Sequence, residues 1–125
     1  MTDPEAVRRW VDAYERAWRD MDSAAVKDLF TEHAHYLVSP FAEPFVGQEA
    51  IAAEWNDPQP FTMTVESITA AGLHAVVRVR VLYSEPDREY ADLWELDFAD
   101  DGRVEHFVEW AYWPGKPHTA SGEAE

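Results

Sequence analysis

The chain has 125 residues, the usual size of one compact domain, and its 46% hydrophobic content with six Trp is too apolar for a disordered chain. Its net charge of −15 repels phosphate backbones and anionic membrane surfaces, which removes nucleic acid and membrane from the expected partners. The absence of Cys excludes disulfides, thiolate zinc sites and Cys nucleophiles, and with neither a membrane-spanning apolar run nor a signal-peptide pattern the expected location is cytoplasmic.

Thr2-Asp3-Pro4-Glu5 reads as a capping box with Thr2 as the N-cap. The helix it opens is predicted to run to about Asp20. Val7, Trp10, Val11, Tyr14, Trp18 and Met21 recur along one face of it. Asp22 or Ser23 can cap a second, shorter helix carrying Val26, Leu29 and Phe30. His35 to Val38 reads as a short strand that Ser39-Pro40 breaks. The segment from Phe41 to Val46 is a loop or a brief returning strand. Gly47 precedes a third helix, Gln48 to about Trp55, which stops ahead of Pro58.

From Phe61 the apolar period changes to two. Strands are predicted at about 61–71, 75–84, 89–98 and 103–113, joined at Ala71-Gly72, Glu85-Pro86-Asp87 and Asp100-Asp101-Gly102. Short connections imply antiparallel neighbours. The tail 115–125 is small and polar and is expected to fray, which leaves one domain over 1–114. Helices followed by a strand meander give an α+β domain. A curved antiparallel sheet is expected to wrap the long N-terminal helix and two shorter ones, leaving a conical cavity when the residues between them do not fill it.

Glu109 is the anomaly. It is a carboxylate inside the aromatic run Phe107-Val108-Glu109-Trp110-Ala111-Tyr112-Trp113. Simple alternation turns Val104, His106, Val108, Trp110 and Tyr112 to one face and Glu105, Phe107, Glu109, Ala111 and Trp113 to the other. Hydrophobicity alone sends the first set inward and leaves Glu109 wet. In the preceding strand, Tyr90, Asp92, Trp94, Leu96 and Phe98 form the inward set, which brings Asp92 toward any pocket mouth. Tyr14 lies on the helical stripe, as a core ring or as a ligand-facing hydroxyl. His33 and His35 share a strand face, but no third ligand follows at a recognisable spacing, so no metal is expected. His35 is kept as a possible proton-transfer group. Arg78 and Arg80 are expected to point outward and pair with Glu95 and Asp97. There is no phosphate loop, dinucleotide fingerprint or nucleophile elbow, and no cofactor is expected.

The chain resembles the nuclear transport factor 2-like superfamily in its SnoaL-like branch. The resemblance is carried by the opening helix with Trp10 and Tyr14, and by Leu29-Phe30-Thr31-Glu32-His33-Ala34. It continues through Pro40, Gly47-Gln48-Glu49-Ala50-Ile51 and Asp101-Gly102-Arg103-Val104. It implies a cone with a pocket, and turns Glu109 toward that pocket. Steroid isomerases of this fold use a Tyr where Tyr14 stands. The place of their carboxylate base holds Val38 and Ser39, and that of their second acid about Trp94. Epoxide hydrolases of the fold pair an Arg with an Asp on one strand, and the matching strand here has Arg78 and Arg80 without the Asp. The resemblance thus implies cofactor-independent acid/base chemistry on an apolar cyclic or aromatic substrate, or else a non-catalytic hydrophobic ligand-binding module. The groups for chemistry would be Glu109, Tyr14, Asp92 and His35. Trp10, Trp18, Trp55, Trp94, Phe107 and Val38 would hold the ligand. A homodimer through the convex sheet face is also implied.

Overall fold

Asp3, one residue later than expected, opens the first helix of the computed structural model, which describes residues 3–55, 60–84 and 87–115. Its Oδ1 accepts from the Ala6 amide at 2.8 Å, an interaction worth about 1 kcal/mol. Asp3 wins over Thr2 because Pro4 then falls at the first helical position, where its missing N–H costs nothing. Thr2 itself lies outside the described residues, as do the Pro58 stop, the Glu85-Pro86 part of a turn and the tail from residue 116.

Helix α1 (Pro4–Arg19) buries Val7, Trp10, Val11, Tyr14 and Ala17, a stripe at helical spacing. Met21, expected on that stripe, lies beyond the helix in the left-handed region at φ 51°. A 3₁₀ turn (Ser23–Ala25) leads into α2 (Val26–Leu29). Phe30, assigned to this helix from its spacing, instead begins strand β1 (Phe30–Leu37). The strand therefore starts five residues before His35, the expected first residue. Its pairing is irregular between Phe30 and His35, so the sequence there carries no clean alternation.

A two-residue return strand β2 (Phe45–Val46) and helix α3 (Gln48–Ala53) follow. Gly47, at φ 95°, makes the turn between them, a conformation few other residues tolerate. Strands β3 (Phe61–Ala71), β4 (His74–Ser84), β5 (Asp87–Phe98) and β6 (Val104–Tyr112) form the predicted antiparallel meander.

The sheet is curved and unclosed, in the order β2-β1-β6-β5-β4-β3. One neighbour pairing, β1 with β6, is parallel, because β1 precedes the meander and β6 returns to lie beside it. The concave face closes on α1. Trp10 stacks on Tyr14 at 5.1 Å and donates its indole N–H to the Leu29 carbonyl at 2.9 Å. Phe30 and Phe107 are fully buried against these rings, each contributing roughly 1.5–3 kcal/mol. Among the described residues no helix is long and apolar enough to cross a membrane.

Candidate active site

The rings of α1 do not fill the cone, and a cavity of about 410 Å³ remains. Its volume falls in the range of small-molecule sites. Helix α1 supplies Tyr14 and Trp18 to the wall, β1 supplies Tyr36, and Val38 follows just beyond that strand. Glu54 and Trp55 come from the end of α3, Tyr83 from β4. Strand β5 adds Arg88, Tyr90, Asp92 and Trp94, and β6 adds Glu109 and Ala111.

Glu109 faces this cavity because β6 does not alternate simply. Phe98 pairs with Val104 and Asp97 with His106, so Glu105 is an extra residue opposite a continuous partner strand. This bulge lets Val104 and Phe107 both point into the core, three residues apart. Strict alternation had put Val104 on the face opposite Glu109, which made that face look like the buried one. With Val104 removed from it, the inward set after the bulge is Phe107, Glu109 and Ala111. The outward set is His106, Val108, Trp110 and Tyr112, and the Trp110 indole N–H donates to Glu95 at 3.0 Å on that outer side.

Glu109 stands opposite Trp94 in the ladder and diagonal to Asp92. Same-face diagonal residues on antiparallel strands lie within reach of one another. Asp92 is only 4% exposed and Trp94 2%. Burial is the largest cause that raises the pKa of Glu109 well above the usual carboxyl value, followed by its hydrogen bond to Asp92 and the charge there. Burial also raises Asp92, while its contacts with Glu109 and Trp94 act the other way. Both carboxyls are thus raised, Glu109 the further of the two. Asp92 Oδ1 is buried and without a hydrogen-bond partner among the described residues, which adds to the cost of its ionised form. The Trp94 indole favours both ionised forms electrostatically, yet its Nε1 is outside hydrogen-bonding geometry with either carboxyl. Two carboxyls this close titrate as a unit, and one proton is retained where isolated carboxyls have lost theirs.

Across the cavity the hydroxyls of Tyr14 and Tyr36 meet at 2.9 Å. Whichever donates within the pair, the other keeps its proton for a third partner. Burial is the main cause raising both phenols, and Glu109 adds to it when ionised. Tyr83 is likewise pushed up to about 12, by burial first and Glu109 second. The three tyrosines therefore stay neutral donors at physiological pH.

The other expected site residues divide. Trp18, Trp55, Trp94 and Val38 line the cavity. Trp10 and Phe107 do not: Trp10 is tied to Leu29 behind the wall, and Phe107 is covered by the rings of Tyr36 and Trp94. His35 also departs from expectation. In β1, Ala34 and Tyr36 point inward, so His35 lies on the outer face with its ring 5.8 Å from that of His106. Arg78 and Arg80 point outward as expected but engage Glu66, and Arg80 also Glu89, rather than Glu95 and Asp97. Asp97 is taken by His74, its register partner, at 2.7 Å. No cluster of three potential metal ligands occurs among the described residues.

Tyr36, Tyr83, Tyr90, Glu54 and Arg88 were missed. Parity carried the signal for Tyr36: once Ala34 is placed inward, Tyr36 follows. Tyr83 shares a face with Val77, Val79 and Val81. Glu54 and Arg88 sit at element ends, where periodicity gives no orientation.

Comparison with known proteins fits this architecture. A candidate ketosteroid isomerase from Kribbella flavida superposes with TM-score 0.71 at 22% identity, covering 100% of this chain and 92% of that one. SalBIII, an epoxide hydrolase/cyclase-like enzyme of pyran ring formation in the polyether salinomycin, gives 0.76 at 16% identity, covering 90% and 95%. An LEH-like epoxide hydrolase from Mycobacterium tuberculosis gives 0.69 at 15% identity, covering 89% and 86%. At these identities the likeness is one of fold. No curated protein matches the sequence. The SnoaL-like domain matches residues 7–112, nearly the whole folded chain, and the protein belongs to that family.

Proposed function

We propose that this protein is an enzyme that moves protons on a small, largely apolar cyclic or aromatic substrate. The observation that carries the proposal is the Asp92–Glu109 pair, two carboxyls on one face of adjacent strands, Asp92 buried and Glu109 half-buried, at the wall of an aromatic cavity. Burial and mutual contact are the arrangement that tunes a carboxyl toward working pH. Asp92, ionised, takes a proton from the substrate. Glu109, protonated, gives its own to the oxygen on which charge develops. The pair ends with one proton, as it began, and one transfer from Asp92 to Glu109 restores it. The Tyr14–Tyr36 hydroxyl pair donates to the developing oxyanion. Isomerisation, cyclisation and hydrolysis all use such steps, in keeping with the isomerase, cyclase and hydrolase names of the fold neighbours.

Carbon-13 NMR titration of the side-chain carboxyls tests this. Glu109 is expected to titrate well above the ordinary value of about 4.3, with Asp92 showing two inflections from its partner. A Glu109 midpoint in the ordinary range would sink the acid/base assignment and leave the cavity as a binding site in which Glu109 only orients a ligand. Homodimerisation through the convex sheet face belongs to the same proposal. Leu82, Leu93 and Trp110 are exposed there and supply the apolar surface. Sedimentation equilibrium should then give twice the 14.3 kDa chain mass, and a monomer at micromolar concentration would refute it.

A further inference from the structure

The cavity wall carries a chemical preference of its own. Four of its rings are Trp18, Trp55, Tyr83 and Tyr90, from four different elements. Three carboxyls line the same space, Glu54 beside Trp55 and the Asp92–Glu109 pair. The basic residue of the lining, Arg88, stands exposed, with its guanidinium carbon 4.8 Å from the Tyr83 ring centroid and 5.9 Å from that of Tyr90. Aromatic faces concentrate negative potential, and Arg88 shows two of these rings already accepting a cation. Asp92 Oδ1, on a residue 4% exposed, has no hydrogen-bond partner among the described residues. An anion brought here would meet the Asp92–Glu109 pair and the rim carboxylate of Glu54, with Arg88 as the lining's basic group. A cation would meet ring faces and carboxyl oxygens.

We infer that the ligand is a ring compound bearing a positive charge, a protonated or quaternary amine, seated among Trp18, Trp55 and Tyr83 and facing Glu54 and the carboxyl pair. The inference rests on the reading of this cavity as the substrate site, and it specifies the substrate class. The charged nitrogen is the anchor, and the remainder of the ring system reaches the Tyr14–Tyr36 hydroxyls.

Three probes of one shape test the charge: benzyltrimethylammonium, its neutral counterpart 2,2-dimethylpropylbenzene, and the anion phenylacetate. Binding to the intact protein at pH 7 is followed by tryptophan fluorescence and calorimetry. Benzyltrimethylammonium is expected to bind at least about tenfold more tightly than the neutral probe, with phenylacetate weakest. Glu54→Gln, at an exposed position, should weaken the cation several-fold and leave the neutral probe unchanged. Tyr83→Leu should weaken the cation more than the neutral probe, because the cation loses the ring face as well as apolar contact. Equal binding of cation and neutral probe, tightest binding of phenylacetate, or no binding of any of the three would overturn the inference. The carboxyl titration is independent of these results. Cation preference with an ordinary Glu109 pKa would remove the acid/base chemistry and keep the ligand class. A raised Glu109 pKa without cation preference would do the reverse.

Discussion

Glu109→Gln is expected to make the fold more stable than the native chain at pH 8 and to reduce turnover by about 10²–10⁴-fold. The two effects have one origin. The folded pKa of Glu109 lies above its unfolded value, chiefly through burial. Between those two values the native state binds more protons than the unfolded chain. Stability is therefore fully present below the ordinary carboxyl pKa and is lost as pH rises through the folded one. One proton sets the limit of this slope at about 1.4 kcal/mol per pH unit. Gln has nearly the same shape, can donate to Asp92 as the protonated acid does, and never ionises. The variant escapes the loss, so the gap between the two proteins should be near zero at pH 4 and widen steadily toward pH 8. Urea denaturation at several pH values measures it. A gap that does not change with pH would mean that Glu109 is not raised in the fold. Because the variant gains stability, its lost turnover on any substrate of the native chain cannot be ascribed to unfolding. Asp92→Asn should move stability in the same direction, since that group is raised too.

Much of this arrangement was legible in the chain. The meander strands followed from an apolar period of two, and the turns at Gly72 and Gly102 from Gly and Asp there. The α1 stripe followed from spacing, and the family resemblance put Tyr14 beside the cavity. Asp92 followed from parity, since Tyr90, Trp94, Leu96 and Phe98 fix the inward face of β5 without ambiguity. The misses have physical causes. Phe30 fitted the helical spacing of Val26 and Leu29, and only its tertiary partner Val104 shows that the chain has become extended there. His35 was drawn to the pocket by its chemistry, when the small Ala34 beside it was the better guide to facing. Trp10 and Phe107 were read as ligand contacts because both are large rings near a pocket. Their neighbours Leu29, Tyr36 and Trp94, which cover them, are remote in sequence. The partners of Arg78 and Arg80 depended on the β3–β4 register, which brings Glu66 close, and no local pattern encodes that.

The hardest feature to read was a single residue, and its removal should have the second large effect. Deleting Glu105 is expected to destabilise the fold by about 3–5 kcal/mol, whereas Glu105→Ala should stay within about 0.5 kcal/mol. The Glu105 side chain is exposed, so its identity matters little. Its backbone is what lets β6 keep Val104 inward and then present Phe107 and Glu109 to the same face. Without the extra residue, one half of the strand must turn over. If the half after residue 105 turns, Phe107 leaves contacts with Tyr14, Tyr36 and Trp94, and Glu109 leaves the cavity. If the other half turns, fully buried Val104 is driven to solvent. The preceding turn has little slack to absorb the change. It is closed by Ala99 N–H to the Arg103 carbonyl at 2.7 Å and held by Asp101 on the Arg103 amide at 3.0 Å, with Gly102 at φ 90°. Urea denaturation of the two variants separates backbone from side chain. A deletion as harmless as the Ala substitution would show that the strand re-registers freely. The facing of Glu109 would then be held by something other than the bulge. The expected result ties the site to the fold at one point. An extra exposed residue costs the sheet a ladder bond, and in return a carboxyl that hydrophobicity would leave in water stands beside Asp92.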